Sequence, residues 1–93
     1  MHFEFDLAKS KANKVKHGID FTEAQKLWDD EFSVEIRARS EVESRFAVIG
    51  MVERKCYSAF ITYREETIRI ISVRRARKKE IDIYESRRAG QVI

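Results

Sequence analysis

The chain has 93 residues, 43% hydrophobic and 38% charged, with no Pro, three Gly, one Cys and a formal net charge of +3. This composition is that of a soluble globular chain, and it leaves no room for a flexible or low-complexity linker. One domain over residues 1–93 with a small core is expected. A disulfide framework within the chain is excluded, and no apolar run suits a signal peptide or a membrane span, so a cytoplasmic setting is expected.

Met1 to Phe5 reads as a short strand with Phe3 and Phe5 on one face. Asp6 can cap a helix over Leu7–His17, whose apolar positions Ala8, Ala12 and Val15 are spaced to cover a sheet. Gly18 is the natural residue to end it. A second helix, Phe21 to Trp28, is expected after Asp20, with Glu23 in the capping-box position and Phe21, Ala24, Leu27 and Trp28 on its buried face. Four strands follow: one around Phe32, Val34 and Ile36, then Arg45–Val52, Lys55–Arg64 and Thr67–Arg75. Short gaps make an antiparallel meander the simplest arrangement. A last helix should run from about Ala76 to Arg88. The expected class is α+β, in the order β-α-α-β-β-β-β-α.

The turn at Glu65 and Glu66 decides which side chains meet. A two-residue loop sets Arg64 against Thr67 and Thr62 against Arg69, and puts Tyr57, Tyr63 and Arg74 on one face with Ile68 and Ile70. A longer loop exchanges these sets, and neither glutamate is the Asn or Gly that tight primed turns prefer.

Charge is unevenly spread. Residues 68–93 hold eight basic and three acidic side chains, a net of +5, whereas residues 31–67 hold six and seven. A basic carboxy-terminal third on a near-neutral body suits a polyanion or an acidic protein. Arg77, Lys78 and Lys79 fall in the first turn of the last helix, where free N–H groups favour negative charge. A phosphate there resolves the conflict; so does Glu80, with Asp82, in a purely structural reading.

No metal or cofactor is expected. His2 and His17 lie in different elements, and there is no paired-cysteine or HExxH pattern and no Gly-rich phosphate loop. Asp29, Asp30 and Glu31 read as solvated loop carboxylates, and Cys56 as a small, partly buried residue. What remains is metal-free RNA cleavage by the substrate's own 2′-hydroxyl, which needs proton transfer and positive charge on the phosphorane. His17 has the titration range for the first. Lys16, Arg64, Arg74 and Arg75 have the charge for the second. Tyr57, Tyr63 and Trp28 are of the type that stacks on bases. Composition alone does not choose this over a non-catalytic basic module that grips nucleic acid or an acidic partner.

Three stretches, FEFDLAKSKANKVKHGIDFTEAQKLWDD (3–30), RFAVIG (45–50) and ITYREETIRIISVRRARKKEIDIY (61–84), resemble the BrnT family of bacterial toxins. The combination of KHG, FTEA and RIISVRRA is specific, and together the stretches cover most of the chain. One departure is Glu31 after Asp30, where relatives often carry Pro. The resemblance implies a RelE-like ribonuclease toxin of a type II toxin–antitoxin pair that cuts RNA to arrest translation and growth. It implies a ribbon-helix-helix antitoxin as partner, in a 2:2 complex that meets promoter DNA through the antitoxin. It maps the family's basic and polar positions onto Lys16, His17, Arg64, Arg74 and Arg75, with Glu23 and Glu80 as orienting carboxylates. Together with the residue chemistry above, His17, Arg64 and Arg74 are the expected catalytic residues, and Lys16, Tyr63, Arg75, Arg77 and Lys78 the expected substrate contacts. The basic last helix, with Arg77, Lys78 and Lys79, is the expected antitoxin surface.

Overall fold

A computed structural model describes residues 2–41 and 43–90. Met1, at the start of the expected first strand, and Val42, in the charged connection, lie outside them. The elements are β1 (His2–Glu4), α1 (Leu7–His17), a 3-10 helix (Glu23–Asp29), β2 (Val34–Ala38), β3 (Arg45–Val52), β4 (Lys55–Arg64), β5 (Thr67–Arg75) and α2 (Lys78–Arg88). The α+β class and the element order are those expected.

The sheet runs β1-β5-β4-β3-β2. Strands β2 to β5 form the antiparallel meander. The sheet as a whole is mixed, because β1 adds to the free edge of β5 in parallel, Phe3 beside Ile68. That pairing spans more than sixty residues of chain, and no local pattern encodes it; it satisfies edge N–H and C=O groups that would otherwise stay open.

The β4–β5 loop is the two-residue one, with Arg64 opposite Thr67 and Thr62 opposite Arg69. Its first residue, Glu65, has φ 57°, as Glu53 has φ 59° in the β3–β4 turn. The one-for-one register then breaks: Ile61 faces Ile70, but Phe60 faces Ser72. Ile71 is therefore an extra residue, a β-bulge that reverses the alternation of everything after it. Tyr57, Ala59, Ile61, Ile68, Ile70 and Val73 join Val48 and Val52 on the inner face, packed with Ile19, Phe21, Ala24 and Leu27. Arg74, expected on the face of Ile68 and Ile70, is turned to the outer face with Ser58, Phe60 and Ser72.

Asp6 caps α1 by accepting from the Lys9 N–H, and Gly18 ends it at φ 76° with its N–H on the Lys14 carbonyl. The helix is nevertheless rotated from its expected setting. Ala8 and Ala12 are exposed, and Leu7 and Val15 are 64% and 90% exposed. The inward residues are Ser10 and Asn13. β1 pairs only with the start of β5, so Val73 presents a free edge, and the Asn13 amide acts there as a peptide group. Its Nδ2 donates to the Val73 carbonyl at 2.9 Å and to the Ile19 carbonyl at 2.8 Å; its Oδ1 accepts from the Val73 N–H at 3.3 Å. Ser10 Oγ accepts from the Phe21 N–H. Closing buried backbone bonds outweighs burying two alanines and a valine.

The second helix is 3-10 and starts two residues late, although the Asp20–Glu23 exchange forms in both directions: Glu23 N–H to Asp20 Oδ1 and Asp20 N–H to Glu23 Oε1. Ala24 and Leu27 are fully buried. Trp28, expected to be largely buried, is half-buried, edge-on to Phe3 at 4.9 Å near the β1 side of the sheet. Gly50 lets this helix sit close to the sheet: a Cβ there would lie 3.3 Å from Leu27 Cδ2 and 3.2 Å from Ser33 Cβ.

Asp30 is not the solvated carboxylate expected. Its Oδ2 accepts from the Met51 N–H at 2.8 Å and the Tyr84 hydroxyl at 2.7 Å, and its Oδ1 from the Phe32 N–H. Burial disfavours its charge, but these donors outweigh burial and hold its pKa below the usual range. Asp30 thereby ties β3 to α2, whose Tyr84 is 2% exposed.

Candidate active site

Helix α2 begins two residues later than expected, because the Ala76 N–H still donates to the Cys56 carbonyl and Arg77 is extended. This puts Glu80 in the first turn, where its carboxylate faces back to the outer side of the sheet. Arg74 Nη1 and Nη2 each donate to it at 2.8 Å, one to each oxygen. The Arg77 N–H and the Ser58 hydroxyl donate to the same carboxylate at 2.8 and 2.9 Å. The Arg74 guanidinium lies 4.9 Å from the Phe60 ring centroid. The pair is mostly covered, with 21% of the Arg74 side chain and 15% of the Glu80 side chain exposed. Burial works against the Glu80 charge, and the four donors outweigh it, holding the carboxyl at about 2. Glu80 therefore answers the misplaced positive charge at the start of α2. Lys78 is 87% exposed and pairs with Asp82.

Between β5 and α1 lies a cleft of about 270 Å³. Lys9, Lys16 and His17 line it from α1, and Ile71 and Ser72 from the bulge. Ser72 and Arg74 are two residues apart on one face of β5, about 7 Å along the strand. The Asn13 bonds to Val73 hold α1 against this stretch. Lys9, Lys16 and His17 thus meet β5 at Ile71 and Ser72, while Arg74, held by Glu80, follows two residues along the strand and does not itself line the cleft.

The other sequence-predicted positions lie elsewhere. Arg64 shares the outer face with Arg74 but sits at the far end of the hairpin, six residues from Ser58 along β4, about 20 Å away. Tyr63 is on the inner side, its ring on Phe46 and its hydroxyl on Glu35, and burial followed by that carboxylate pushes its pKa up to about 12. Arg75 points to the inner side, over Tyr57 at 5.8 Å. Tyr57 is 6% exposed and not free to stack on a base. Glu23 orients Lys14, not an arginine, at 2.8 Å. These two line a separate inner-side cavity of about 390 Å³ with Lys26, Arg54 and Lys55. Ser58 and Phe60, which contact the Arg74–Glu80 pair, and Ser72 and Lys9, which line the cleft, are neighbours that the sequence did not single out. Alternation along β4 and β5 would have found the first three had the bulge been legible. Among the described residues no three His, Cys, Asp or Glu side chains are placed to hold a metal ion.

The family model described as "Ribonuclease toxin, BrnT, of type II toxin-antitoxin system" matches residues 5–80. No curated protein matches the chain by sequence. The match takes in α1, the whole β2–β5 meander and the first turn of α2 up to Glu80, so every residue of the cleft and of the Arg74–Glu80 pair falls inside it.

Proposed function

This chain belongs to the BrnT family of ribonuclease toxins of type II toxin–antitoxin systems, and we propose that it cuts RNA in the cleft between α1 and the bulged edge of β5. As a member of that family it is an endoribonuclease, with RNA as its target and a cognate antitoxin as its partner. No helix among the described residues is long and apolar enough to cross a membrane.

The observation that carries the proposal is the convergence of Lys9, Lys16 and His17 on Ser72, one strand step from Arg74. RNA enters as a single strand, with a phosphate between these cations. The 2′-hydroxyl loses its proton and attacks phosphorus; the P–O5′ bond breaks; the departing 5′-oxygen gains a proton. The products are a 2′,3′-cyclic phosphate and a 5′-hydroxyl end. His17 moves the proton at one of these two oxygens. Lys9 and Lys16 stabilise the charge that builds on the phosphorane, and Arg74, fixed by Glu80 and Ser58, adds positive charge from the strand side. Arg64 and Tyr63 are too far away to touch the same phosphate. The antitoxin carries a ribbon-helix-helix region whose dimer holds two toxin chains and meets promoter DNA; the family resemblance supports this finer reading.

The test is RNA cleavage by the purified chain in chelator. His17→Gln should lower the rate by ~10² or more with melting unchanged. Arg64→Ala and Tyr63→Phe should leave the rate within about threefold of the parent, the scale of an effect outside proton transfer. The reverse pattern, with His17→Gln active and Arg64→Ala dead, would move the site to the β4–β5 loop.

A further inference from the structure

Among the described residues the face of α1 turned away from the sheet has no partner. Leu7, Ala8, Ala12 and Val15 line it, all four exposed, with Val15 at 90% and Leu7 at 64%. At 100° per residue these four centre on the side opposite Ser10 and Asn13, so the stripe is the back of the packed face. Lined up on one side of an exposed helix, these residues offer a candidate contact surface. From Leu7 to Val15 it is about 12 Å long, a little over two turns of a second helix.

Charge identifies the occupant. Lys11 lies within the stripe and Lys9 and Lys16 flank it, and none of the three makes an ion pair among the described residues. Lys14, on the other flank, is drawn to Glu23. An apolar line bordered by unpaired lysines complements an amphipathic helix with acidic flanks. RNA would use the lysines but gains nothing from Leu7 and Val15. Position supplies the purpose. Ala12, Lys9 and Lys16 also line the cleft that holds His17. A helix laid along this face reaches the cleft's rim and takes up the cations that a phosphate needs.

We infer that the cognate antitoxin neutralises this toxin by laying an acidic amphipathic helix along the exposed face of α1. The inference rests on the cleft as active site and relocates the antitoxin from α2. The basic start of α2 is a poorer surface: Glu80 and Asp82 already answer its charge, and of its apolar residues only Ile81, at 37%, counts among the exposed large ones.

The experiment is a direct binding titration of the antitoxin, freed from the purified complex, against the toxin and its variants, with RNA cleavage read in parallel. Leu7→Ser combined with Val15→Ser should leave melting and cleavage by free toxin unchanged and weaken antitoxin binding about tenfold or more. Val15→Glu, which sets a carboxylate against acidic flanks, should weaken it further. Lys78→Ser with Lys79→Ser should change affinity less than about twofold. The inference is overturned if the Leu7/Val15 variant binds within about fivefold of the parent, or if the α2 variant is the one that fails. It is also overturned if free toxin is a dimer that the Leu7/Val15 variant dissolves while antitoxin binding persists; the stripe would then join two toxins. Loss of cleavage by the free Leu7/Val15 variant would assign the stripe to RNA. Binding is measured without turnover, so an active His17→Gln variant would defeat the cleft reading while this result still stood.

Discussion

Glu23 and Glu80 are the same local device in two settings. Each stands three residues after a turn that starts a helix, each accepts the N–H of the residue three before it, from Asp20 and Arg77 respectively, and each binds a cation from a preceding element. Glu23 and its partner Lys14 are 42% and 51% exposed, and that cation is a flexible ammonium. Glu80 meets a planar guanidinium on both oxygens, receives Ser58 as well, and is 15% exposed. Water screens the first pair, so it contributes little beyond a helix start. Covered, the second becomes a rigid joint that fixes α2 against β4 and β5 and sets the direction of Arg74.

Replacing the buried carboxylate should have the largest effect. Glu80→Ala leaves Arg74 covered and unpaired, with the Ser58 hydroxyl and Arg77 N–H also unmet, and should cost about 3 kcal/mol in denaturant unfolding. It should also lower RNA cleavage, because Arg74 loses its orientation. A loss no greater than that of Glu23→Ala would show that burial does not separate the two sites.

Acid should separate them next. Glu80 is held at about 2, below the ordinary 4.5, so its contribution is full above about 4.5 and is lost as the pH falls through about 2. Melting temperature followed between these values should drop in the parent and drop less in Glu80→Gln, which has no such proton to take up. Equal slopes would mean that other carboxylates dominate; Asp30, also held below its usual range, is the first to examine.

The smallest change is expected at the exposed site. Glu23→Ala removes one N–H acceptor and a screened ion pair, and should cost about 0.5–1 kcal/mol, the value of the backbone hydrogen bond alone. Addition of 1 M salt to the parent should erase the ion-pair part and leave the Glu80 joint intact.

Much of the fold was legible in the residues. The alternation in Val34–Ala38, the β-branched runs of the later strands, Asp6 before α1, Gly18 after it and the Asp20–Glu23 pair are local signals, and each formed where the pattern put it. The family resemblance, carried by motifs inside these elements, named the chemistry. Legibility failed where a residue's role depends on a partner far along the chain. The apolar spacing of Ala8, Ala12 and Val15 pointed the wrong face of α1 at the sheet, because the free edge of Val73, sixty residues away, claims Asn13 instead. Asp30 lay in an acidic cluster that looked solvated, until Tyr84 and the end of β3 met it.

The sequence by itself determined which elements exist, their class and order, and the supply of cations, two histidines and a RIISVRRA strand, since these follow from side-chain periodicity, capping and motif. Only the tertiary structure decided which of those cations lie on the same side of the sheet. One extra residue at Ile71 reverses the alternation of β5, sending Arg74 to the outer face with Ser58 and Arg75 to the inner one over Tyr57. A bulge is a compromise between paired strands, set by the register of both, so neither strand read alone records it. For the same reason Arg64 and Arg74, alike in sequence, lie at opposite ends of one hairpin, whereas Lys16 and His17, distant in sequence, come to the edge beside Ser72.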